Sequence, residues 1–184
     1  MLKAVEKLAS APIYIDDSSD IGILEIRAKA RRLHARHGLG LLIVDYLQLM
    51  RPDGRSDSRV EQIGQISRGL KILARELAIP VIAVSQLSRA VESRNPPIPM
   101  LSDLRESGNI EQDADLVMFV YREEYYNRES ERLGEADLIM AKHRNGPIGE
   151  VTMTFLPKYP RFANLYRDRS GTEPTGQLGQ NGGG

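Results

Sequence analysis

The chain has 184 residues, enough for one domain with its own core, and its 41% hydrophobic and 27% charged content is ordinary for a globular protein. Lys plus Arg equals Asp plus Glu at 25 each, so whole-chain charge gives no pull toward nucleic acid, and any contact with DNA must use a local patch. There is no cysteine, which excludes disulfides and thiolate metal sites, and the apolar runs fall short of a membrane span or a leader peptide, so a cytoplasmic location is expected.

Residues 2 to 9 read as the end of a helix, and Ile13, Tyr14 and Ile15 as a short strand before the acidic turn Asp16-Asp17-Ser18-Ser19. Ser19 or Asp20 can cap the next helix. It runs from about 21 to 37, with Ile23, Ile26, Ala30 and Leu33 on one face and many Arg on the other. Gly38 and Gly40 end it. Leu41 to Met50, LLIVDYLQLM, follows as an apolar run into one carboxylate, Asp45, and such a run predicts a strand buried on both faces. Arg51 to Asp57 is a polar loop. A long amphipathic helix then spans about 58 to 78, with Val60, Ile63, Ile66, Leu70, Leu73 and Leu77 at three- and four-residue steps. Pro80 ends it, and Val81 to Gln86, VIAVSQ, is a second buried strand, so the order predicts a right-handed parallel crossover.

Arg89 to Leu101 reads as an irregular loop, and SDLRESGNIEQDAD as a loop entering a short helix. Leu116 to Tyr121, LVMFVY, is a third buried strand. Residues 122 to 134 are a charged, Tyr-rich, exposed connection. Asp137 to His143 and Glu150 to Leu156 are strands around Asn145-Gly146-Pro147, a hairpin signal, and Phe162 to Tyr166 adds a short strand. From Ser170 the Gly, Gln, Thr and Pro content predicts a disordered tail.

Asp45 falls at the carboxyl end of its strand, where open α/β sheets place ligands, and a lone acid there suits Mg²⁺ beside a nucleotide phosphate, the Walker B arrangement. A turn aspartate is the plainer alternative. Gln86 ends the next strand, where a neutral amide can meet a γ-phosphate or orient water without adding charge; a strand-end glutamine with only local bonds is the alternative. In Asp103-Leu104-Arg105-Glu106-Ser107-Gly108, Arg105 can pair with a phosphate and Gly108 lets a backbone amide approach one. Glu106 would repel phosphate as a side chain, so its backbone or an ion pair is its expected contribution. Lys142 and Arg144 alternate around His143 and so project together from the hairpin mouth, where two adjacent cations call for an anion or for solvent.

LLIVDYLQLM, VIAVSQLSR, SDLRESGNIEQDAD and AKHRNGPIGEV, in that order over residues 1 to 168, closely resemble the bacterial replicative DNA helicases of the DnaB type. The resemblance implies an α/β, RecA-like domain: a mostly parallel sheet flanked by helices, with a carboxyl-terminal β-hairpin. It also implies a hexameric ring on single-stranded DNA that uses ATP and Mg²⁺, with primase and a helicase loader as partners. It makes Asp45 the Walker B acid, holding Mg²⁺ through water, and Gln86 the γ-phosphate sensor. Arg105, Glu106 and Gly108 become DNA-backbone contacts. Lys142 and Arg144 become cations offered to the next subunit's ATP, with Arg144 the arginine finger.

One departure matters. No GxxxxGK[ST] phosphate loop occurs in these residues. The expectation is a domain truncated at its amino end, spanning 1–168 with a 169–184 tail, that neither binds ATP tightly nor hydrolyses it alone. Two other readings remain at this point: a non-catalytic module binding single-stranded DNA or a helicase loader, and a fragment of a RecA-type recombinase.

Overall fold

The computed structural model describes residues 2–52, 58–107 and 109–165, without the side chains of 2–4 and 105–107. Most of the predicted 51–57 loop, Gly108 and the predicted 169–184 tail lie outside the described residues. Chain contacts divide into two units, one of Met1–Gln86 with Arg105–Asp113, the other of Leu87–Leu104 with Ala114–Gly184.

In the first unit the helices are α1 (Leu2–Ala9), α2 (Ile23–His37), α3 (Arg59–Leu77) and the short α4 (Ile110–Asp113). Ser58 caps α3, its hydroxyl accepting from the Glu61 amide at 3.5 Å. The predicted cap of α2 is not made. Gly22 holds the N-cap position with no side-chain bond, and Asp20, at φ 62°, lies in the left-handed region before it. Gly38, at φ 70°, closes α2, its amide donating to the His34 carbonyl.

Strands β1 (Leu42–Val44) and β2 (Val81–Ala83) pair in parallel, Val44 opposite Ala83, on either side of the α3 crossover. One core forms on a single side of this pair: Val44, Leu47 and Met50 pack with Ile23, Ile26 and Ala30 of α2 and Ile63, Ile66, Leu70 and Leu73 of α3. Fully burying each large side chain there contributes about 1.5–3 kcal/mol. The expected burial on both faces does not hold. Ile43 is 58% and Ile82 45% exposed, because both long helices pack on the Val44 side. Residues 13–15 also depart from expectation. They are exposed and form no strand, since no described strand pairs with them.

Helices α2 and α3 approach closely at Gly69, where a Cβ would sit 2.5 Å from Ile23 Cγ1. Gly69→Ala therefore sets a helix-propensity gain of about 1 kcal/mol against overpacking of about 1–3 kcal/mol. The expected result is a thermal midpoint lower by about 2–4 °C; a rise would mean that Ile23 turns aside at no cost.

The second unit holds a four-stranded antiparallel sheet in the order β3 (Leu116–Tyr121), β4 (Glu135–His143), β5 (Gly149–Leu156) and β6 (Arg161–Asn164). The predicted hairpin is β4–β5. Strand β3 alternates instead of being buried throughout: Val117, Phe119 and Tyr121 face inward, Leu116, Met118 and Val120 outward. The connection 122–134 contains the short α5 (Glu123–Tyr126) and is more tightly held than a merely exposed segment. Arg132 forks onto Asp137 at 2.7 and 2.8 Å and reaches Glu135 at 2.9 Å. Glu124 accepts from the Gly134 amide at 2.8 Å and pairs with Arg122, which lies over the Phe155 ring.

Candidate functional site

Parallel strands β1 and β2 end side by side, and the ladder continues past them. The Val84 amide donates to the Val44 carbonyl at 2.9 Å, and the Leu47 amide to the Val84 carbonyl at 3.0 Å. Between these bonds Asp45 and Tyr46 bow out of the ladder, joined by a cis peptide. Asp45 is exposed at the carboxyl rim, and among the described residues no cation forms an ion pair with it. Gln86, also exposed, sits three residues past Ala83 on the same rim. Acid and amide therefore share one edge of one sheet, as the crossover pattern predicts.

Gln48 fixes that edge, and the sequence reading did not single it out. Its Nε2 donates to Ser85 Oγ at 3.1 Å and to the Gln86 carbonyl at 3.3 Å, and its Oε1 accepts from the Gln86 amide at 3.2 Å. One side-chain amide thus clamps the Ser85 hydroxyl and the Gln86 backbone. The Gln48 carbonyl in turn accepts from Arg59 at the start of α3. The only sequence signal was an amide three residues after Asp45 between two leucines.

A single exposed carboxylate suits Mg²⁺, which keeps several waters and takes one or two carboxylates plus phosphate oxygens. Among the described residues there is no cluster of three His, Asp or Glu able to cage a metal alone. The donor set fits an ion that arrives with a phosphate.

Lys142 and Arg144 lie in the second unit, at the end of β4. The register of β3 against β4 shifts between Val117 and Met118, leaving Ala141 as an extra residue. This bulge sets Lys142 opposite Val117 and His143 opposite Leu116, and bulges re-aim side chains in this way. Arg144 donates its amide to the Asp115 carbonyl at 2.9 Å, and its Nη1 lies 3.1 Å from Asp115 Oδ1. The His143 ring folds over the turn, Nδ1 lying 3.1 Å from the Pro147 carbonyl. It fills the space a Cβ on Gly146 would need, with ring atoms 2.3 Å from that position. A side chain at position 146 would have to displace that ring.

Arg105 and Glu106 fall in a 3-10 segment, Leu101–Ser107, that leads into α4. Their side chains, and Gly108, lie outside the described residues. The residues just before them are well fixed: Asp103 is buried and accepts both guanidinium nitrogens of Arg94, which hold its carboxyl below the usual carboxylate range.

Residues 1–164 match the family model of the DnaB-like helicase C-terminal domain. The chain is 53% identical over 165 residues to the replicative DNA helicase DnaB of Geobacillus stearothermophilus and 52% identical over 174 residues to the replicative DNA helicase DnaC of Bacillus subtilis. Those matches cover 89% and 93% of this chain but 36% and 38% of the relatives, so the chain spans little more than a third of their length. Among solved structures, the ATPase domain of G40P superposes with a TM-score of 0.86 at 46% identity, covering 90% of this chain and 59% of that one. A DnaB-like replicative helicase, solved in a study of its interactions with primase, superposes at 0.85 and 46% identity, covering 90% of this chain and 41% of that one. The fold is thus that of the RecA-like helicase ATPase domains. With 164 residues matched end to end, this chain belongs to the family of DnaB-like helicase C-terminal domains.

Proposed function

We propose that this chain is part of the motor domain of an ATP-dependent, hexameric replicative DNA helicase that moves along single-stranded DNA and unwinds duplex at the replication fork. The observation that carries the reading is the shared carboxyl rim of β1 and β2, with Asp45 exposed and the Gln86 backbone clamped by Gln48. ATP supplies the phosphoryl group whose transfer to water drives movement. Asp45 holds Mg²⁺ through water, and Gln86 offers its amide to the γ-phosphate, a neutral donor that adds no charge. Lys142 and Arg144 serve the ATP of the next subunit, and Arg105, Glu106 and Gly108 hold the DNA backbone. Further copies of the chain, single-stranded DNA, primase and a helicase loader are the partners, all through the intact protein. The whole acts in the cytoplasm.

These 184 residues contain no phosphate loop, so the chain alone is expected to show no steady-state ATP hydrolysis above background. In the intact protein, Mg²⁺-dependent hydrolysis is expected to vanish in Asp45→Ala, measured by phosphate release. Hydrolysis by the chain alone that Asp45→Ala removes would overturn its inactivity. Full hydrolysis by the intact Asp45→Ala protein would overturn the metal role.

A further inference from the structure

Gln86 is exposed on the rim, and its side-chain amide makes no hydrogen bond among the described residues. Its direction therefore comes from its backbone, which one other side chain holds. Gln48 Oε1 accepts from the Gln86 amide at 3.2 Å, and Gln48 Nε2 donates to the Gln86 carbonyl at 3.3 Å and to Ser85 Oγ at 3.1 Å. A carboxamide carries the same donor and acceptor as a peptide group, so Gln48 serves Gln86 as a neighbouring strand would. It extends the ladder one step beyond the bond from the Leu47 amide to the Val84 carbonyl. Gln48 is itself anchored. It lies in the 3-10 turn Leu47–Leu49, between buried Leu47 and buried Met50, and its carbonyl accepts from Arg59 at the start of α3. Residues 44–86 all belong to the first unit.

We propose that Gln48 is a positioning residue for ATP hydrolysis: by holding the Gln86 backbone it aims the Gln86 amide at the γ-phosphate, without itself touching the nucleotide. This rests on the reading of Gln86 as the γ-phosphate contact. Two bonds to one peptide unit fix its direction as well as its distance. A backbone already fixed has no further freedom to lose when the Gln86 side chain meets the reacting phosphate. The Gln48 amide is committed to Ser85 and Gln86, so it is turned to the protein. Its bonds are neutral and reach an exposed residue, where water can replace them. Their loss therefore disturbs the aim of Gln86 more than the stability of the fold.

The test is a double-variant cycle in the intact protein, reading kcat for ATP hydrolysis and affinity for ADP. Gln86→Ala is expected to lower kcat by roughly 10²-fold, as loss of a donor aimed at developing charge does. Gln48→Met, similar in length but unable to hold the backbone, is expected to lower kcat roughly tenfold. ADP has no γ-phosphate, so its affinity should stay at the wild-type value in both. The double variant should turn over no more slowly than Gln86→Ala, because Gln48 acts only through that side chain. Gln48→Asn keeps the amide but is one methylene too short to span the gap; it is expected to lose kcat as well, and it serves where Gln48→Met does not fold. Wild-type kcat in the Gln48 variants, losses that multiply in the double variant, or ADP affinity that falls in step with kcat would overturn the inference while leaving the Gln86 reading intact. If Gln86→Ala itself keeps wild-type kcat, the Gln86 reading fails and the inference falls with it.

Discussion

Replacing Arg144 by alanine in the intact protein is expected to cut ATP turnover by roughly 10³-fold or more while nucleotide affinity stays nearly unchanged, the mark of a cation that acts on the transition state. One contact of the Arg144 side chain is Asp115 at 3.1 Å, with the two side chains 44% and 52% exposed, and pairs so exposed are worth at most about 1 kcal/mol. A phosphate from another molecule can replace that carboxylate at little cost. The backbone is a different matter, because the Arg144 amide is bonded to the Asp115 carbonyl and the β4 bulge sets the direction of the chain end. Arg144→Lys should recover little turnover, since a point charge lacks the planar fork. Comparison of kcat and KM in single-turnover and steady-state assays decides the matter. A raised KM at unchanged kcat would assign Arg144 to ground-state binding instead.

Arg132→Ala is expected to lower stability by about 2–4 kcal/mol, because it strips a nearly buried carboxylate of its guanidinium fork. Asp137 is 4% exposed in its side chain and would lose its guanidinium fork, keeping the Thr152 hydroxyl at 2.9 Å and its contact with Glu150. The loss stays below that of a fully buried pair because Arg132 is 36% exposed and water can partly replace it. The same contact predicts a pH dependence. The Arg132 fork holds the Asp137 carboxyl below its ordinary value, as the Arg94 fork does for Asp103. A depressed carboxylate stabilises the folded chain above its unfolded pKa of about 3.9, and that contribution is lost as pH falls through the lower folded value. Thermal midpoints should therefore hold near neutral pH and drop below about pH 4. Asp137→Asn should start lower and drop less steeply. An unchanged midpoint in Arg132→Ala would mean that the 122–134 connection is held by its other bonds alone.

Periodicity and punctuation made much of this fold readable. The apolar steps from Ile63 to Leu73, Ser58 before them and Pro80 after them mark α3 within a residue of its observed ends. Asn145-Gly146 marks the hairpin, and the intervening helix makes β1 and β2 parallel. Burial was less readable. An apolar run such as LLIV or LVMFVY fits a strand covered on two faces, but coverage depends on which helices arrive, and α2 and α3 both settle on the Val44 side. Ile13 to Ile15 have strand-forming residues without a described partner strand, and a strand exists only through its pairing. The rim positions of Asp45 and Gln86 were legible because Asp45 directly follows the apolar run LLIV and Gln86 ends VIAVSQ, one residue past Ser85. Gln48 and the Arg94–Asp103 clamp were not, because their roles lie in contacts 38 and 9 residues away that no local pattern encodes.

In the proposed helicase, one nucleotide site draws Asp45 and Gln86 from one subunit and Lys142 and Arg144 from its neighbour. Mixed oligomers of the intact protein decide whether the site is shared. Asp45→Ala and Arg144→Ala subunits, each inactive alone, are combined over a range of ratios and assayed for ATP hydrolysis. The shared site predicts recovered activity that peaks at intermediate ratios, because some interfaces then join an unaltered Asp45 to an unaltered Arg144. Activity that never exceeds that of the separate variants, in oligomers shown to contain both, would contradict it.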